Sequence, residues 1–267
     1  MKELKRQYEI LKANIINQFQ RETAFFGHNI SRTMSAIMYN ILFIALIEIL
    51  FSRISQIASY SKNEIYLLSI VSEATFYLQE SITGINMMEL IHKVNRGNFD
   101  YTLVRPINAQ FQSGTESIKL LQLITDAVPV LSVYAIFLID WSLLPITWSS
   151  TAYALAVMLI LMFAERSFMY LLTLPVFWLG DATEIYLSRY IFTGNALPFE
   201  GMPLWFKFSF ASFVPTVVLS AATASVWLNK TNGFIILILS ILLAVVFFLL
   251  RKLVWNSAIK NYSSASS

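Results

Sequence analysis

Two carboxylates inside an apolar stretch are the first residues of this sequence whose type and spacing could support chemistry. Glu73 and Glu80 lie seven residues apart in the stretch 63–91, most of which is apolar. Seven residues make about two helical turns, so both side chains would lie on one face of a helix. A carboxylate near the centre of a bilayer costs about 2.5–3.5 kcal/mol on insertion scales. We therefore expect this face to contact protein or a wet cavity rather than lipid.

A second group of charges, the adjacent pair Glu165 and Arg166, lies in the apolar stretch 149–176. Neighbouring residues do not share a helix face, so these two side chains point in different directions. Two roles stay open for the four residues. They could line a translocation route or form a proton relay, and Glu80→Gln would then preserve assembly but alter transport. Alternatively, Arg166 pairs with Glu73 or Glu80 in the protein interior, and one further carboxyl is protonated.

Motifs for nucleotide binding, covalent catalysis and metal binding are missing from the sequence. It contains no Gly-x-x-x-x-Gly-Lys-Ser/Thr loop, no Gly-x-Ser-x-Gly elbow and no His-Glu-x-x-His pair. Cysteine is absent and histidine occurs only at His28 and His92, so no thiolate site or all-protein zinc site is expected. Basic residues are too few and scattered for nucleic-acid binding. We expect no catalytic residue, metal or cofactor in this chain, so uphill transport would need a partner or an ion gradient.

The elements that must position these residues follow from a composition typical of lipid-embedded proteins. Of 267 residues, 57% are hydrophobic and 13% are charged, whereas a soluble domain carries about 25% charged residues. A span needs about 20 apolar residues. We predict an all-α integral membrane protein with six transmembrane helices in a single domain over 1–267. The predicted spans are 31–51, 63–91, 116–139, 149–176, the marginal 182–194 and 233–254.

Two further elements are predicted outside these spans. Residues 1–29 carry apolar side chains at three- and four-residue spacing together with lysines and arginines. This pattern predicts an amphipathic helix on the cytoplasmic membrane surface, and a soluble helix packed on a partner is the alternative. Residues 196–230 are apolar but interrupted by Pro215 and rich in Ser, Ala and Thr. They predict a re-entrant helical hairpin on the extracellular side before the last span.

Basic residues indicate the orientation of the chain. Six lie before or at the start of the first span, two follow it, three follow the second span and none lies in the loop after the third. Three more lie at the C-terminal end. Because cytoplasmic loops carry an excess of lysine and arginine, we expect both termini and the segment 92–115 to be cytoplasmic.

The segment 92–115 contains NRGNFDYTLVRPINAQF, which resembles the cytoplasmic signature of six-span permeases of type-2 ATP-binding-cassette exporters. The stretch 194–215 has prolines where that branch has them. The C-terminal tail is also similar, although Ala258 and Ala265 replace two glycines. The resemblance covers nearly the whole chain. The signature positions are Gly97, Phe99, Asp100, Leu103, Arg105 and Pro106.

The resemblance implies a permease in a bacterial cell membrane that pairs with an identical or homologous permease and sits on two ATPase subunits. ATP and Mg²⁺ would bind the ATPases, whose closure would drive export. The N-terminal helix and the segment 92–115 would contact the ATPases, and the hairpin 196–230 would gate the extracellular exit. The candidate gate residues are Pro198, Pro203, Trp205, Phe210 and Pro215.

The residues of this segment suit a rigid protrusion that docks on a partner. Gly97 permits a tight turn after the second span, and Pro106 blocks a helix from extending back from the third. Asp100 can cap a short helix that begins at Tyr101. An ordinary positive-inside loop is the alternative. Its apolar anchors would be Phe99, Tyr101, Leu103 and Val104, and its arginines could bind carboxylates of a partner or lipid headgroups. The candidate ATPase-coupling residues are Arg96, Gly97, Phe99, Asp100, Tyr101, Leu103, Arg105 and Pro106.

Two other classes of function stay open. An ion-coupled secondary transporter would use Glu73, Glu80 or Glu165, and an inverted repeat would support it, but the sequence shows none. A membrane scaffold without transport activity is the third class.

Overall fold

The structure, a computed structural model, describes residues 2–24, 26–191, 198, 203–205 and 215–262. No β-strand occurs in these ranges, and the regular elements are helices. The prediction of an all-α membrane protein is therefore confirmed at this level. Four helical stretches of the described part are long and apolar enough to cross a membrane: Ile30–Phe51, Leu120–Leu138, Trp148–Leu179 and Gly233–Asn261.

The α-helices are numbered in chain order. They are α1 Lys2–Ala24, α2 Phe26–Phe51, α3 Lys62–Gln79, α4 Ile85–Asn95, α5 Asp100–Leu103, α6 Ala109–Ser113, α7 Leu120–Gln122, α8 Val128–Val133, α9 Trp148–Thr173, α10 Val176–Leu179, α11 Thr183–Leu187, α12 Pro215–Trp227 and α13 Gly233–Asn261. π-Helical turns occupy Glu80–Gly84, Leu123–Ala127 and Tyr134–Leu138, and 3₁₀ turns occupy Trp141–Leu143 and Ser188–Ile191.

One helical path, made of α3, the π-turn 80–84 and α4, runs through the interior of the bundle. A capping box begins it, because the Ser61 hydroxyl accepts from the Glu64 N–H and the Glu64 carboxylate accepts from the Ser61 N–H. At 1.5 Å per residue the path is about 51 Å long, enough to cross a hydrocarbon core of about 30 Å. It packs against α8, α9 and α12. Its polar side chains are therefore surrounded by protein, as the sequence predicts.

The helices α12 and α13 both pack on α9. At the start of α13, a Cβ on Gly233 would lie 2.8 Å from the Tyr153 ring, so glycine permits this close approach. Other side chains of α13, such as Ile238, Leu242 and Leu249, are exposed. An exposed apolar face of this length suits contact with lipid.

The two ends of the bundle are marked by different contacts. At one end, Lys230 Nζ donates to the Ser59 carbonyl at 2.9 Å and joins the turn before α13 to the loop after α2. At the other, Trp255 near the end of α13 packs against Phe99 of the segment 92–115. Because α13 is about 43 Å long, these contacts lie on opposite sides of the bundle.

The helix α1 is attached by two polar contacts to the residues around the start of the helical stretch Leu120–Leu138. Asn14 Nδ2 donates to the Thr115 carbonyl at 3.1 Å, and the Glu22 carboxylate accepts from the Leu121 N–H at 3.0 Å. Burial raises the pKa of Glu22, although this backbone donor and the nearby Lys119 act in the opposite direction. The position of α1 is therefore set in part by its own chain.

The predicted fifth span and hairpin are described in part. Residues 183–191 form α11 and a 3₁₀ turn that together reach about 15 Å, too short to cross a bilayer alone. Residues 192–194 lie outside the described residues. In the hairpin, α12 begins at Pro215, which suits a first helical turn because it has no N–H to satisfy. Residues 218–226 of α12 are buried, and the helix packs on α3 and α9.

Candidate functional site

A cavity of about 460 Å³ lies beside α3. Its walls come from α2, α3, the π-turns 80–84 and 123–127, and the 3₁₀ turn after α11. Small-molecule sites typically enclose about 300–1,000 Å³, so this cavity has a suitable size for one. The two carboxylates predicted to share a helix face both line it. Its polar and aromatic lining includes Arg32, Tyr39, Glu73, Glu80, Asp126 and Tyr190.

Two π-helical turns supply acidic side chains to this cavity. The turn 80–84 begins with Glu80, and the turn 123–127 contains Asp126. A π-turn holds one more residue than an α-helical turn and shifts the direction of the side chains around it. Such turns are frequent at functional sites, and here each carries a carboxylate to the cavity wall.

Glu80 forms an ion pair with Arg189. Arg189 is 2% exposed, and its guanidinium carbon lies 4.6 Å from the centre of the Tyr186 ring and 4.2 Å from that of Tyr190. The Tyr190 hydroxyl donates to Glu80 Oε2 at 2.9 Å. Because a guanidinium stays charged even when buried, Glu80 serves as its counter-ion. The pair joins the interior helical path to the turn after α11.

Gly84 makes room for this pair. A Cβ at position 84 would lie 2.5 Å from an oxygen of the Glu80 carboxylate, closer than non-bonded atoms approach. The Gly84 carbonyl also accepts from the Tyr186 hydroxyl at 2.9 Å. A side chain at this position would push the Glu80 carboxylate away from Arg189.

We expect Gly84→Ala to lower the stability of the protein by about 1–3 kcal/mol, since the added methyl overpacks a site whose carboxylate is already held by two partners. The matched control is Gly27→Ala, because no atom lies within 4 Å of a Cβ at position 27. The measurement is the thermal unfolding midpoint of each purified variant in detergent. Equal midpoints for the two variants would show that Glu80 is not confined as described.

Glu73 is 4% exposed and has no ion-pair partner within the described residues. Asn40 Nδ2 donates to Glu73 Oε2 at 3.4 Å, and Tyr77 also hydrogen-bonds the carboxylate. The Tyr134 hydroxyl donates in turn to Asn40 Oδ1 at 3.3 Å. In the described part of the chain, neutral polar groups and no cation hold this carboxylate.

Asp126 is the third carboxylate of the cavity, and it pairs with Arg32 of α2. Arg32 Nε donates to Asp126 Oδ2 at 2.5 Å, and the Thr33 hydroxyl donates to Oδ1 at 2.8 Å. The Asp126 side chain is almost fully buried, whereas that of Arg32 is partly exposed. This pair joins α2 to the π-turn 123–127.

The cavity offers carboxylate, guanidinium and phenol groups, which bind and orient polar or charged solutes. Over the residues that the structure describes, no three His, Asp or Glu side chains come close enough to hold a metal ion. The arrangement therefore suits binding of a solute.

The other two intramembrane charges lie away from this cavity. Glu165 is buried in α9 but does not line the cavity. Arg166 Nη2 donates to the Gly114 carbonyl at 2.8 Å and so holds the end of α6. The alternative that paired Arg166 with Glu73 or Glu80 is wrong, because Glu80 pairs with an arginine of the turn after α11 and Arg166 binds a backbone carbonyl.

The cytoplasmic signature begins with the turn that the sequence predicts at Gly97, whose φ is +71°. The Gly97 N–H donates to the Val94 carbonyl at 3.1 Å, and the Asn98 N–H donates to the Lys93 carbonyl at 2.8 Å. These two bonds make a Schellman motif, which ends α4 and needs a left-handed residue that glycine adopts without strain.

The predicted role of Phe99 as a contact for a partner is wrong. Phe99 is 0% exposed, and its ring packs edge-on against three other aromatic rings of the same chain. Centroid distances are 5.3 Å to Phe177, 6.4 Å to Trp255 and 5.3 Å to Tyr262. Phe99 therefore anchors the segment to α10 and to the end of α13.

The helix that follows also differs from its prediction. It begins at Asp100 rather than Tyr101, its N-cap is Phe99, and no side-chain hydrogen bond caps it. Asp100 is thus its first residue and not its cap. A carboxylate in the first turn still complements the helix dipole.

The remaining signature side chains point outward. Tyr101 is 69% exposed, and neither Arg96 nor Arg105 has an ion-pair partner in the described part of the chain. Exposed apolar and basic side chains on a short rigid segment are typical of a protein-docking surface. We call these residues the 96–106 face: Arg96, Tyr101, Leu103, Val104, Arg105 and Pro106.

The predicted gate residues fall into three groups. Pro198 is buried, and Pro203 and Trp205 are exposed. Pro215 is the buried first residue of α12. Phe210 lies outside the described residues.

Sequence reasoning misses Arg189, Tyr190 and Asp126 as site residues, although a signal for two of them exists. Arg189 and Asp126 each lie in a predicted span, and an ionisable residue there is a functional candidate by default. Their partners lie 109 and 94 residues away along the chain, so no local pattern identifies them.

The chain matches the family described as ABC-2 family transporter protein over residues 34–266. This range includes the segment 92–115, the helix α13 and every lining residue of the cavity except Arg32. No curated protein and no solved structure matches the chain. With four helices that can cross a membrane and a family match over most of its length, the chain is a multi-pass membrane permease that belongs to the ABC-2 family of ABC transporters.

Proposed function

We propose that this chain forms half of the membrane part of an ATP-driven exporter, together with an identical or homologous permease and two ATPase subunits. The observation that carries the proposal is the 96–106 face. This face exposes a tyrosine, a leucine, a valine and two arginines on a segment that the buried Phe99 anchors to the protein core. Membership of the family implies an ATPase partner, and ATP and Mg²⁺ would bind there.

Six crossings are proposed for the chain. Besides the four apolar helices, the path of α3 and α4 is long enough to cross, and residues 182–194 would begin the remaining crossing. An even number of crossings returns both termini to the same side, and the basic residues favour the cytoplasm of a bacterial cell. The segments 1–29 and 92–115 would then lie on the cytoplasmic side.

The hairpin 196–230 is proposed to lie on the extracellular side. Its described half, α12, ends beside the loop after α2, because Lys230 contacts Ser59 there. That end of the bundle is opposite to the 96–106 face. The candidate gate residues would therefore act at the exit, while the ATPases act at the other end.

The cavity beside α3 is the proposed translocation route. It lies between the two ends of the bundle and carries both predicted carboxylates, Glu73 and Glu80. Rival classes, an ion-coupled transporter and a scaffold, predict no dependence on an ATPase. No observation in the structure favours either one.

Co-purification tests the proposal directly. The tagged chain, expressed in its native host and extracted in mild detergent, is expected to bring down an ATPase whose ATP hydrolysis rises when the permease is present. Hydrolysis is measured in lipid nanodiscs with and without the permease. A permease that purifies without any ATPase, or leaves its hydrolysis rate unchanged, would contradict the proposal.

Arg105→Glu is expected to insert and fold normally but to reduce stimulation of the ATPase about tenfold or more. Arg105 is exposed and has no ion-pair partner among the described residues, so we expect folding not to depend on it. A reversed charge that meets a carboxylate of a partner costs several kcal/mol of binding free energy. Each loss of about 1.4 kcal/mol weakens binding tenfold.

The matched control is Arg53→Glu, which reverses an exposed arginine in the loop after α2, at the opposite end of the bundle. The readouts are the thermal midpoint and the ATPase rate of the assembled complex. If Arg105→Glu stimulates the ATPase as well as Arg53→Glu does, the 96–106 face is not the docking surface.

A further inference from the structure

We infer that the cavity beside α3 binds a lipophilic organic cation, with Glu73 as its counter-ion and aromatic side chains around it. The inference deepens the proposed function by naming a substrate class, and in that respect it rests on the proposed function. The binding site itself is argued from the charges, rings and depth of the cavity.

The charges around the cavity leave one carboxylate without a cation. Arg32 pairs with Asp126, and Arg189 pairs with Glu80, so two cations balance two carboxylates. Glu73 is the third carboxylate, and among the described residues it receives hydrogen bonds only from neutral groups. Burial without a counter-ion disfavours the charged form of a carboxylate. A cation that enters the cavity stabilises that charged form, whereas an anion of the same shape disfavours it further.

Aromatic side chains surround the same space. Tyr39, Phe76, Tyr77 and Tyr190 all line the cavity together with Glu73. The faces of such rings carry partial negative charge and attract cations, most strongly where water is excluded. Combined with a carboxylate, they suit a cation that has apolar groups and no hydrogen bonds to offer, such as a quaternary ammonium or phosphonium ion.

The depth of the cavity selects for lipophilic ligands. Glu73 lies about 16 Å along the helix from Lys62, near the middle of a hydrocarbon core about 30 Å thick. A small hydrated cation would have to lose its water to reach this depth. A volume of about 460 Å³ instead suits a drug-sized ion.

Binding of two ions of equal shape and opposite charge tests the inference. The full chain, without ATPase, is placed in lipid nanodiscs, and binding of tetraphenylphosphonium and tetraphenylborate is measured by equilibrium dialysis. Empty nanodiscs supply the background for partition into lipid. We expect saturable binding of tetraphenylphosphonium at least tenfold tighter than that of tetraphenylborate.

Variants locate the site. Glu73→Gln keeps the size of the side chain and one acceptor oxygen, and it is expected to weaken tetraphenylphosphonium binding at least tenfold without weakening tetraphenylborate. Phe76→Leu is expected to weaken cation binding about threefold to fivefold, because it removes a ring and keeps an apolar wall. Glu48→Gln, which removes a half-exposed carboxylate away from the cavity, is expected to bind as the native chain does.

Three results would overturn the inference: no saturable binding of the phosphonium ion, equal affinity for both ions, or native affinity in a folded Glu73→Gln variant. If Glu73→Gln fails to fold, two measurements decide whether the cavity binds the cation: the comparison of the two ions on the native chain, and the affinity of the Phe76→Leu variant. Because no ATPase is present, cation binding can be found even if the exporter proposal fails. Stimulation of an ATPase without cation binding would reject only the cation site.

Discussion

The Glu80→Gln variant is expected to unfold at a markedly lower temperature than the native protein, with a loss of about 3–5 kcal/mol of stability. The reason is Arg189, which is nearly inaccessible to solvent and stacked between two tyrosine rings. A guanidinium cannot release its proton in a protein, so the charge persists when its counter-ion is removed. This result differs from the expectation from sequence alone, in which Glu80→Gln preserves assembly.

A second substitution separates the ion pair from other roles of Glu80. Replacing Arg189 by Met in the Glu80→Gln background removes the uncompensated charge, and we expect most of the stability to return. Exchanging a whole buried pair for neutral groups is often close to neutral. Glu48→Gln is the control, since Glu48 and its ion-pair partner Lys62 are both about half exposed and such pairs contribute about 0–1 kcal/mol. Glu48 also accepts from the Tyr66 hydroxyl, and the oxygen of a glutamine can still accept that hydrogen bond. Thermal midpoints in detergent provide the measurement, and a double variant no more stable than Glu80→Gln would argue against the pair.

Phe99→Ala is expected to lower stability by about 3–5 kcal/mol, the usual range for removing a buried aromatic ring. The ring of Phe99 packs against three others, so its loss opens a cavity between the segment 92–115, α10 and α13. The 96–106 face would then lose its support. We therefore expect this variant to stimulate the ATPase less than the native permease even where it remains folded.

Tyr101→Ala is the matched comparison, two residues away on the exposed side of the same segment. It should keep the thermal midpoint of the native protein and still reduce ATPase stimulation, because its contact is with the partner. The measurements are the thermal unfolding midpoint of each variant and the ATP hydrolysis rate of the ATPase assembled with it. Equal midpoints for the two variants would mean that Phe99 does not anchor the segment.

The cavity shows which properties of its carboxylates a local sequence pattern predicts and which it does not. The seven-residue spacing of Glu73 and Glu80 predicts a shared helix face, and the structure places both on one cavity. The same spacing does not identify which carboxylate has a counter-ion. That depends on α2 and on the turn after α11, which bring Arg32 and Arg189 to the wall from distant parts of the chain.

The signature segment also contains one feature that local sequence predicts and one that it does not. Gly97 is predictable because a left-handed turn is a property of a few neighbouring residues. Whether Phe99 is exposed or buried is not predictable from the sequence, since an aromatic residue in a loop is equally suited to a partner's surface and to the chain's own core. Its burial is decided by Trp255 and Phe177, which reach it only when α13 and α10 pack together.

The sequence by itself determines that this is a helical membrane protein, because apolar length, helical spacing and turn residues act over a few positions. The transporter family follows from its resemblance to known permeases, not from these patterns. Tertiary structure alone decides that Glu80 pairs with Arg189, that Asp126 pairs with Arg32, and that Glu73 has no cation partner among the described residues. The physical reason is that a buried charge is stabilised by the group that packing brings within about 3 Å, however distant that group is along the chain.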